Sequence, residues 1–362
     1  MKLQSGHEVV PLEGSEKEKQ LKDFQGYKDG LIRLMPGRWL LAPGFQNFAD
    51  RIYNFQHKKS DVVVMTWPKF GTTWTQEIVW TMMNSPNLDH PDSNLPILTR
   101  SPFIENDIFA PALKPGEVPL SNDPFYVAFK KVCPNRNPAD GVHLQLVEEF
   151  PDPRLIKTHL PFSLVSPTLL DTCKVIYVAR NPKDVIVSFH HHSRILKLHD
   201  YVGSFEDFVQ YFVNDDLIYG PYWLHLKEAW ERKNHKNLHF IFYEDLKANP
   251  LGEIKKLNAF LNTKLTDAQL DGIVKYTSFK EMRARDNGPV FNFEHKGVKV
   301  EALNAEVVKK DGGFFRKGES GDWKNKFTNE MDAKANQWLQ KNLNNLDLEF
   351  KYEIECRKNG KI

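Results

Sequence analysis

Six short segments of the chain carry residues suited to holding an anion or moving a proton. The first is Trp67-Pro68-Lys69-Phe70-Gly71-Thr72-Thr73-Trp74. It joins a β-branched run to a helical pattern. A tight turn at a helix start exposes backbone N–H groups and the positive end of the dipole, which suits phosphate or sulfate. Lys69 adds a point charge, Gly71 allows close approach, and Thr72 and Thr73 add hydroxyls. The nucleoside-triphosphate loop GxxxxGK[ST] is absent, because the lysine precedes the glycine and no earlier glycine stands in frame. Taken singly, the segment is equally a plain strand–turn–helix junction with a solvated lysine.

The second segment, Lys157-Thr158-His159-Leu160-Pro161, follows a short strand pattern. His159 is the candidate general base among 13 histidines, since imidazole titrates near neutrality and a strand end opens onto a cleft. The other reading is a surface or satisfied core histidine. His190, His191 and His192 lie inside a helical pattern, where consecutive side chains diverge. They are expected to be packing or surface residues rather than metal ligands. The third segment is Arg180-Asn181-Pro182-Lys183-Asp184 with Ser188 two turns on. Arg180 can grip a phosphate with two N–H groups, or pair with Asp184 or Glu244. Three more segments follow: Tyr243 in Phe242-Tyr-Glu-Asp-Leu246, Thr277 and Phe279 in Thr277-Ser-Phe-Lys-Glu-Met282, and Arg316-Lys317-Gly318. Together they suit a nucleotide with several phosphates beside an acid–base site.

The elements that position these residues alternate between strand and helix. Strands are predicted at 61–66, 154–157, 174–179 and 238–243. Helices are predicted at 72–84, 182–197, 204–213, 219–234, 250–261, 266–276, 279–283 and 329–342. That order implies an α/β fold, a single domain with a central parallel sheet flanked by helices. Residues 1–30 read as a polar, loosely attached N-terminal arm, and 85–150 as loops with one or two short helices. Residues 284–322 read as irregular.

The chain has 362 residues and a net charge of +2, which argues against a nucleic-acid coat protein. No apolar run approaches the ~18 residues of a membrane span, and the first 30 residues lack a signal-peptide core. Cys133, Cys173 and Cys356 are scattered and odd in number. They offer no disulfide framework or CxxC zinc site and suit a reducing compartment. The 25 phenylalanines hint at a large apolar core or a greasy pocket.

The ordered motifs WPKFGTTW (67–74), KTHLP (157–161), ARNPKDVIVSF (179–189), FYEDL (242–246), TSFKEM (277–282) and RKGESGDWKNKF (316–327) resemble the cytosolic sulfotransferase family. The resemblance spans residues 55–345. It implies a P-loop-like phosphosulfate-binding loop and a cytoplasmic enzyme using 3′-phosphoadenosine 5′-phosphosulfate (PAPS) without a metal. By that resemblance Lys69 contacts the phosphosulfate, and Phe70, Gly71, Thr72 and Thr73 cradle the 5′-phosphate. Trp74 and Phe279 sandwich the adenine, and Tyr243 and Thr277 touch the adenosine. Arg180, Ser188, Arg316, Lys317 and Gly318 hold the 3′-phosphate. His159 takes the acceptor proton and Lys157 neutralises the sulfuryl group.

Three departures from the family pattern stand out. Phe70 replaces a small hydroxyl residue and is a candidate for the acceptor site. The span from Lys69 to Lys157 is about thirty residues longer than the family's, as in the branch that includes retinol dehydratase. The dimer motif is broken after Lys326-Phe-Thr328, so a monomer or non-standard dimer is expected. The expected acceptor is a small hydrophobic alcohol or phenol. Phe103, Phe109, Phe125, Tyr126 and Phe129 either line its pocket or pack the insertion against the core. Two alternatives remain: a retinol-dehydratase-like elimination through a sulfated intermediate, and a non-catalytic nucleotide- or hydrophobe-binding protein. A kinase is excluded by the missing triphosphate loop and metal carboxylates.

Overall fold

The computed structural model describes residues 1–110, 124–285, 292–295, 298–343, 346–348 and 350. The segment expected to be a loose arm is folded onto the body of the protein. Strand β1 (Glu8–Pro11) pairs antiparallel with β2 (Ile32–Met35), which pairs with β3 (Trp39–Leu41). Helix Gly14–Asp23 follows β1. Its polar surface hides the reason for docking, which lies in a few apolar residues at irregular spacing. Phe24 is buried, with its ring 4.7 Å from Tyr201, 5.3 Å from Tyr211 and 5.4 Å from Tyr27. Arg33 on β2 pairs with Glu16 and, at 2.7 Å, with Asp216.

The central sheet contains β4 (Val62–Thr66), β5 (Leu155–Thr158), β6 (Lys174–Ala179) and β7 (Leu238–Phe242), all parallel, in the order β5-β4-β6-β7. β4 is buried at every position, as a strand covered on both faces must be. Met65 lies opposite both Thr158 and Tyr177, and Ala179 lies opposite Phe242. The register therefore brings the carboxyl ends of all four strands to one edge. Trp67, His159, Arg180 and Tyr243 each follow directly.

Helices Thr72–Asn84 and Pro250–Leu261 run as the apolar spacing predicts. Pro182–Ile195 starts with Asn181 accepting the Lys183 N–H at 3.0 Å. Two expectations are corrected. Tyr243 does not end a strand; it opens helix Tyr243–Ala248. The stretch expected to be irregular holds a hairpin, β8 (Asn292–His295) with β9 (Val298–Glu301), and helix Ala305–Asp311. That helix gave little signal because it has no buried residue of its own; Leu303, just before it, is buried with Ile195 and Leu196. The 85–150 insertion carries short helices, as expected. Helices Pro124–Val132 and Val142–Glu149 pack together around Tyr126, Phe129, Cys133 and Val142. Asp107 caps the second by accepting the N–H groups of His143 (3.1 Å) and Leu144 (2.8 Å).

The insertion also reaches the main sheet. Lys157 N–H donates to Pro102 O at 2.9 Å, and Ile104 N–H donates to Lys157 O at 3.1 Å. Phe103 thus sits beside Lys157 as a parallel bridge on the outer edge of β5. No described helix is long and apolar enough to cross a membrane. Because the N-terminal segment is part of the core, Phe24→Ala should destabilise the fold by about 3–5 kcal/mol, read from chemical denaturation. A loosely tethered arm would show no change.

Candidate active site

A cavity of ≈ 440 Å³ opens at the carboxyl edge of the central sheet. Its floor is the turn between β4 and helix Thr72–Asn84. Lys69 adopts φ +70 and Gly71 φ +100. Left-handed backbone at a lysine costs roughly 1–2 kcal/mol, and the site retains it where the turn meets the cavity. Gly71 has a second reason to be glycine: a Cβ there would come within 2.6 Å of Tyr243 Cδ2. Lys69, Gly71, Thr72, Thr73 and Trp74 all line the cavity. The Thr72 hydroxyl lies 2.6 Å from that of Thr66.

Around this turn the structure gathers cations. Lys69, Lys157 and Arg180 take part in no ion pair among the described residues. Burial pushes the Lys69 ammonium down to about 7, and repulsion from Arg180, Lys157 and Arg316 adds to the effect. Arg180 does not pair with Asp184 or Glu244. It donates to the backbone carbonyls of Lys69 and Glu319, each at 3.1 Å, and lies 4.2 Å over the Tyr243 ring. Its Nε is buried with no partner. Asp184 accepts instead from Gly321 N–H at 2.7 Å, and Glu244 from Asn181 N–H at 2.9 Å. Ser188, Arg316, Lys317 and Gly318 complete this side of the cavity. Arg316 and Lys317 both pair with Asp322, at 2.8 and 2.6 Å. Burial works against the Asp322 carboxylate, but these two hydrogen bonds hold it below its usual range.

His159 stands across the cavity. Its ring Nδ1 lies 2.8 Å from the carbonyl oxygen of Thr66. A carbonyl only accepts, so Nδ1 carries the hydrogen and Nε2 keeps a lone pair. Burial and the neighbouring Lys157 charge hold the imidazole pKa well below its ordinary value. The backbone is clamped as well: His159 N–H donates to Glu105 at 2.6 Å, and His225 Nε2 donates to His159 O at 3.0 Å. The site therefore offers a fixed neutral base beside a cluster of cations that make no direct ion pair among the described residues.

Not every expected residue reaches this cavity. Phe70 is fully buried against Trp67, Tyr177 and Tyr222, so its side chain fills the core and does not line an acceptor site. Thr277 is buried with its hydroxyl donating to Ile273 O at 2.8 Å. Trp74, Tyr243 and Phe279 do line the cavity, as do Phe103 and Phe109. Phe125, Tyr126 and Phe129 do not; they form the satellite core of the insertion. Conversely, His192 is more than a packing residue. It lines the cavity with Nδ1 3.4 Å from Lys69 Nζ. Glu105, His199, Tyr219 and Asp322 were also missed. Only Asp322 lay within a recognised motif, RKGESGDWKNKF; nothing local marked the others. No group of three or more metal-capable side chains occurs among the described residues.

Gly71→Ala should cost about 1–3 kcal/mol, because a methyl meets Tyr243 at a positive φ. The loss should appear as a lowered thermal midpoint, and a midpoint equal to wild type would contradict the packing.

Known proteins are similar to this chain in sequence and in fold. Residues 59–347 match the sulfotransferase domain family. The chain is 35% identical to rat sulfotransferase 1A1 over 318 residues, covering 86% of this chain and 95% of the relative. It is 32% identical to human sulfotransferase 1E1 over 316 residues, covering 87% and 94%. Among solved structures, retinol dehydratase in complex with androsterone and the inactive cofactor PAP superposes with a TM-score of 0.80 at 28% identity, covering 96% of this chain and 99% of that one. The loop, the sheet edge and the matched length agree: this chain belongs to the sulfotransferase family.

Proposed function

We propose that this sulfotransferase moves a sulfuryl group from PAPS to the hydroxyl of a small hydrophobic alcohol or phenol. The observation that carries the reading is the neutral, orientation-locked His159 facing Lys69, Lys157 and Arg180, cations that make no direct ion pair among the described residues, although the buried Glu105 carboxyl acts on Lys157. Buried cations without counter-ions are costly alone and suit a polyanion. The partnerless Nε of Arg180 and indole N–H of Trp74 fit the same ligand.

In this reading Phe70 to Thr73 offer backbone N–H groups to the 5′-phosphate. Arg180, Ser188, Arg316, Lys317 and Gly318 hold the 3′-phosphate, and Trp74 and Phe279 flank the adenine. Tyr243 supports the adenosine through its contact with Arg180. Thr277 acts through the backbone of its segment, since its side chain faces inward. His159 Nε2 takes the hydroxyl proton as the acceptor oxygen bonds to sulfur and the bond to the 5′-phosphate oxygen breaks. Lys157 and Lys69 face the charge that spreads onto the sulfuryl and leaving oxygens. By analogy with phosphoryl transfer, positioning and positive charge supply most of the rate. Phe103 and Phe109 give the acceptor an apolar wall.

The solved relatives were captured with androsterone or retinol and with PAP. Their similarity over nearly the whole chain keeps one second reading: elimination of sulfate after transfer, as the name retinol dehydratase suggests. Mass analysis of products separates the two, a stable sulfate ester against an anhydro product.

Labelled-PAPS assays against an alcohol and phenol panel test the main reading. His159→Ala should lower kcat on the order of 10²–10⁴-fold with nucleotide affinity preserved. Arg180→Ala should weaken PAP binding first. Bound PAP that supports no transfer to any acceptor would sink the proposal. The Lys69 shift adds a pH dependence. A bound phosphate raises the lysine pKa from about 7, so PAP binding takes up a proton above that pH. PAP affinity should fall as pH rises above about 7, measured by calorimetry. Lys69→Met should reduce that slope, with the Lys157 ammonium, itself lowered to about 8 by burial, contributing the remainder.

A further inference from the structure

One wall of the cavity is polar in a place the proposed reaction does not use. His192 and His199 line it, their rings 5.6 Å apart, next to Leu196, Leu198 and Ile218. Each ring has one nitrogen already engaged. His192 Nδ1 faces Lys69 Nζ, which in the ammonium form favoured beside a bound phosphate has only protons to give. His199 Nδ1 faces the hydroxyl of Tyr27, a buried phenol whose hydrogen has no other acceptor among the described residues. Both Nδ1 atoms therefore accept, and in a neutral imidazole the hydrogen must then sit on Nε2. Burial does keep both rings neutral: it pushes His199 down to about 3 and His192 well below its ordinary range, with Lys69 adding to both. Neither Nε2 has a protein partner among the described residues.

The contrast with His159 is chemical. Thr66 gives His159 a bare Nε2 that can take a proton. Lys69 and Tyr27 give His192 and His199 the opposite tautomer, with N–H groups that can only donate. Tyr219 lines the same cavity nearer His159, their rings 5.4 Å apart, with φ +67 and its hydroxyl buried and unpaired. A wholly apolar acceptor would leave these groups without partners, and an unpaired buried donor is costly. A site built this way discriminates strongly against the analogue that lacks the matching oxygen.

We infer that the acceptor is an apolar alcohol or phenol carrying a second oxygen, a carbonyl or ether, received by the N–H groups of His192 and His199. This rests on the proposed transfer reaction for the first oxygen, while the second oxygen is a matter of binding alone. Tyr27 acts as a positioning residue, fixing the His199 tautomer from the N-terminal segment.

The test compares alkyl phenols with phenols of equal size whose side chain carries one ketone, placed at successive positions. Binding to the enzyme–PAP complex is measured by calorimetry, and transfer from PAPS is measured in parallel. At least one ketone should bind about tenfold tighter than its alkyl match. His199→Phe should bring that ratio close to one. Tyr27→Phe, which leaves both imidazoles in place, should reduce the ratio while alkyl phenol affinity stays unchanged. It serves as the independent check if His199→Phe is unstable. No ketone preference in the wild type, or a preference untouched by Tyr27→Phe and His199→Phe, overturns the inference. A ketone preference without transfer to any phenol would instead defeat the transfer reading and leave the polar seat standing.

Discussion

The structure is organised around like charges held together without direct ion pairs among the described residues. Lys69, Lys157 and Arg180 converge on one cavity and repel one another. In water such a cluster would disperse. Here it persists because each group is fixed by a different part of the fold. Lys69 sits on a strained turn, Lys157 on an edge strand locked by residues 102–104, and Arg180 in a bridge between two backbone carbonyls. The core behind them supplies the free energy that this arrangement consumes. Val63, Val64, Ile156, Ile176 and Val178 are essentially inaccessible, and their register aims the polar residues at one edge.

Sequence patterns revealed that edge well. Continuous apolar runs marked β4, β6 and β7, and the site residues Lys69, Arg180 and Tyr243 lie at or just past their ends. The helices with clear stop signals were legible too: Thr72–Asn84 is bounded by Gly71 and Pro86, and Pro250–Leu261 begins at a proline. What escaped was tertiary. Phe24 and Tyr27 look like isolated aromatics in a charged segment until Tyr201, Tyr211 and His199 surround them. His192 was hidden in a run of three histidines, and which of them meets Lys69 depends on helix rotation. Glu105 is a lone acid in a Pro- and Asn-rich stretch, with nothing to announce that it holds the His159 backbone. Phe70 shows the reverse error: position in a motif suggested a pocket, and packing made it core.

The insertion joins scaffold and site. Its distal helices bury a small core of their own, while Leu144 and Val147 of the second reach into the main core. Its proximal strand is different. Pro102 to Glu105 bind both sides of the Lys157–His159 segment, while Phe103 places its ring 4.0 Å from the Lys157 ammonium. An acceptor wall and the catalytic loop thus share one stretch of backbone. Changes in acceptor shape can reach the chemistry through that stretch without passing through the core.

Asp322 gives the donor side a different character from the cations opposite. By bridging Arg316 and Lys317 it serves as a resident counter-ion where a ligand phosphate is expected. Occupation of this corner is then an exchange of anions rather than the filling of bare positive charge. Fewer mobile salt ions surround the empty site than a count of its basic residues implies, and fewer are set free on occupation. The protein can thus keep strong local attraction for a polyanion while its affinity stays comparatively indifferent to ionic strength.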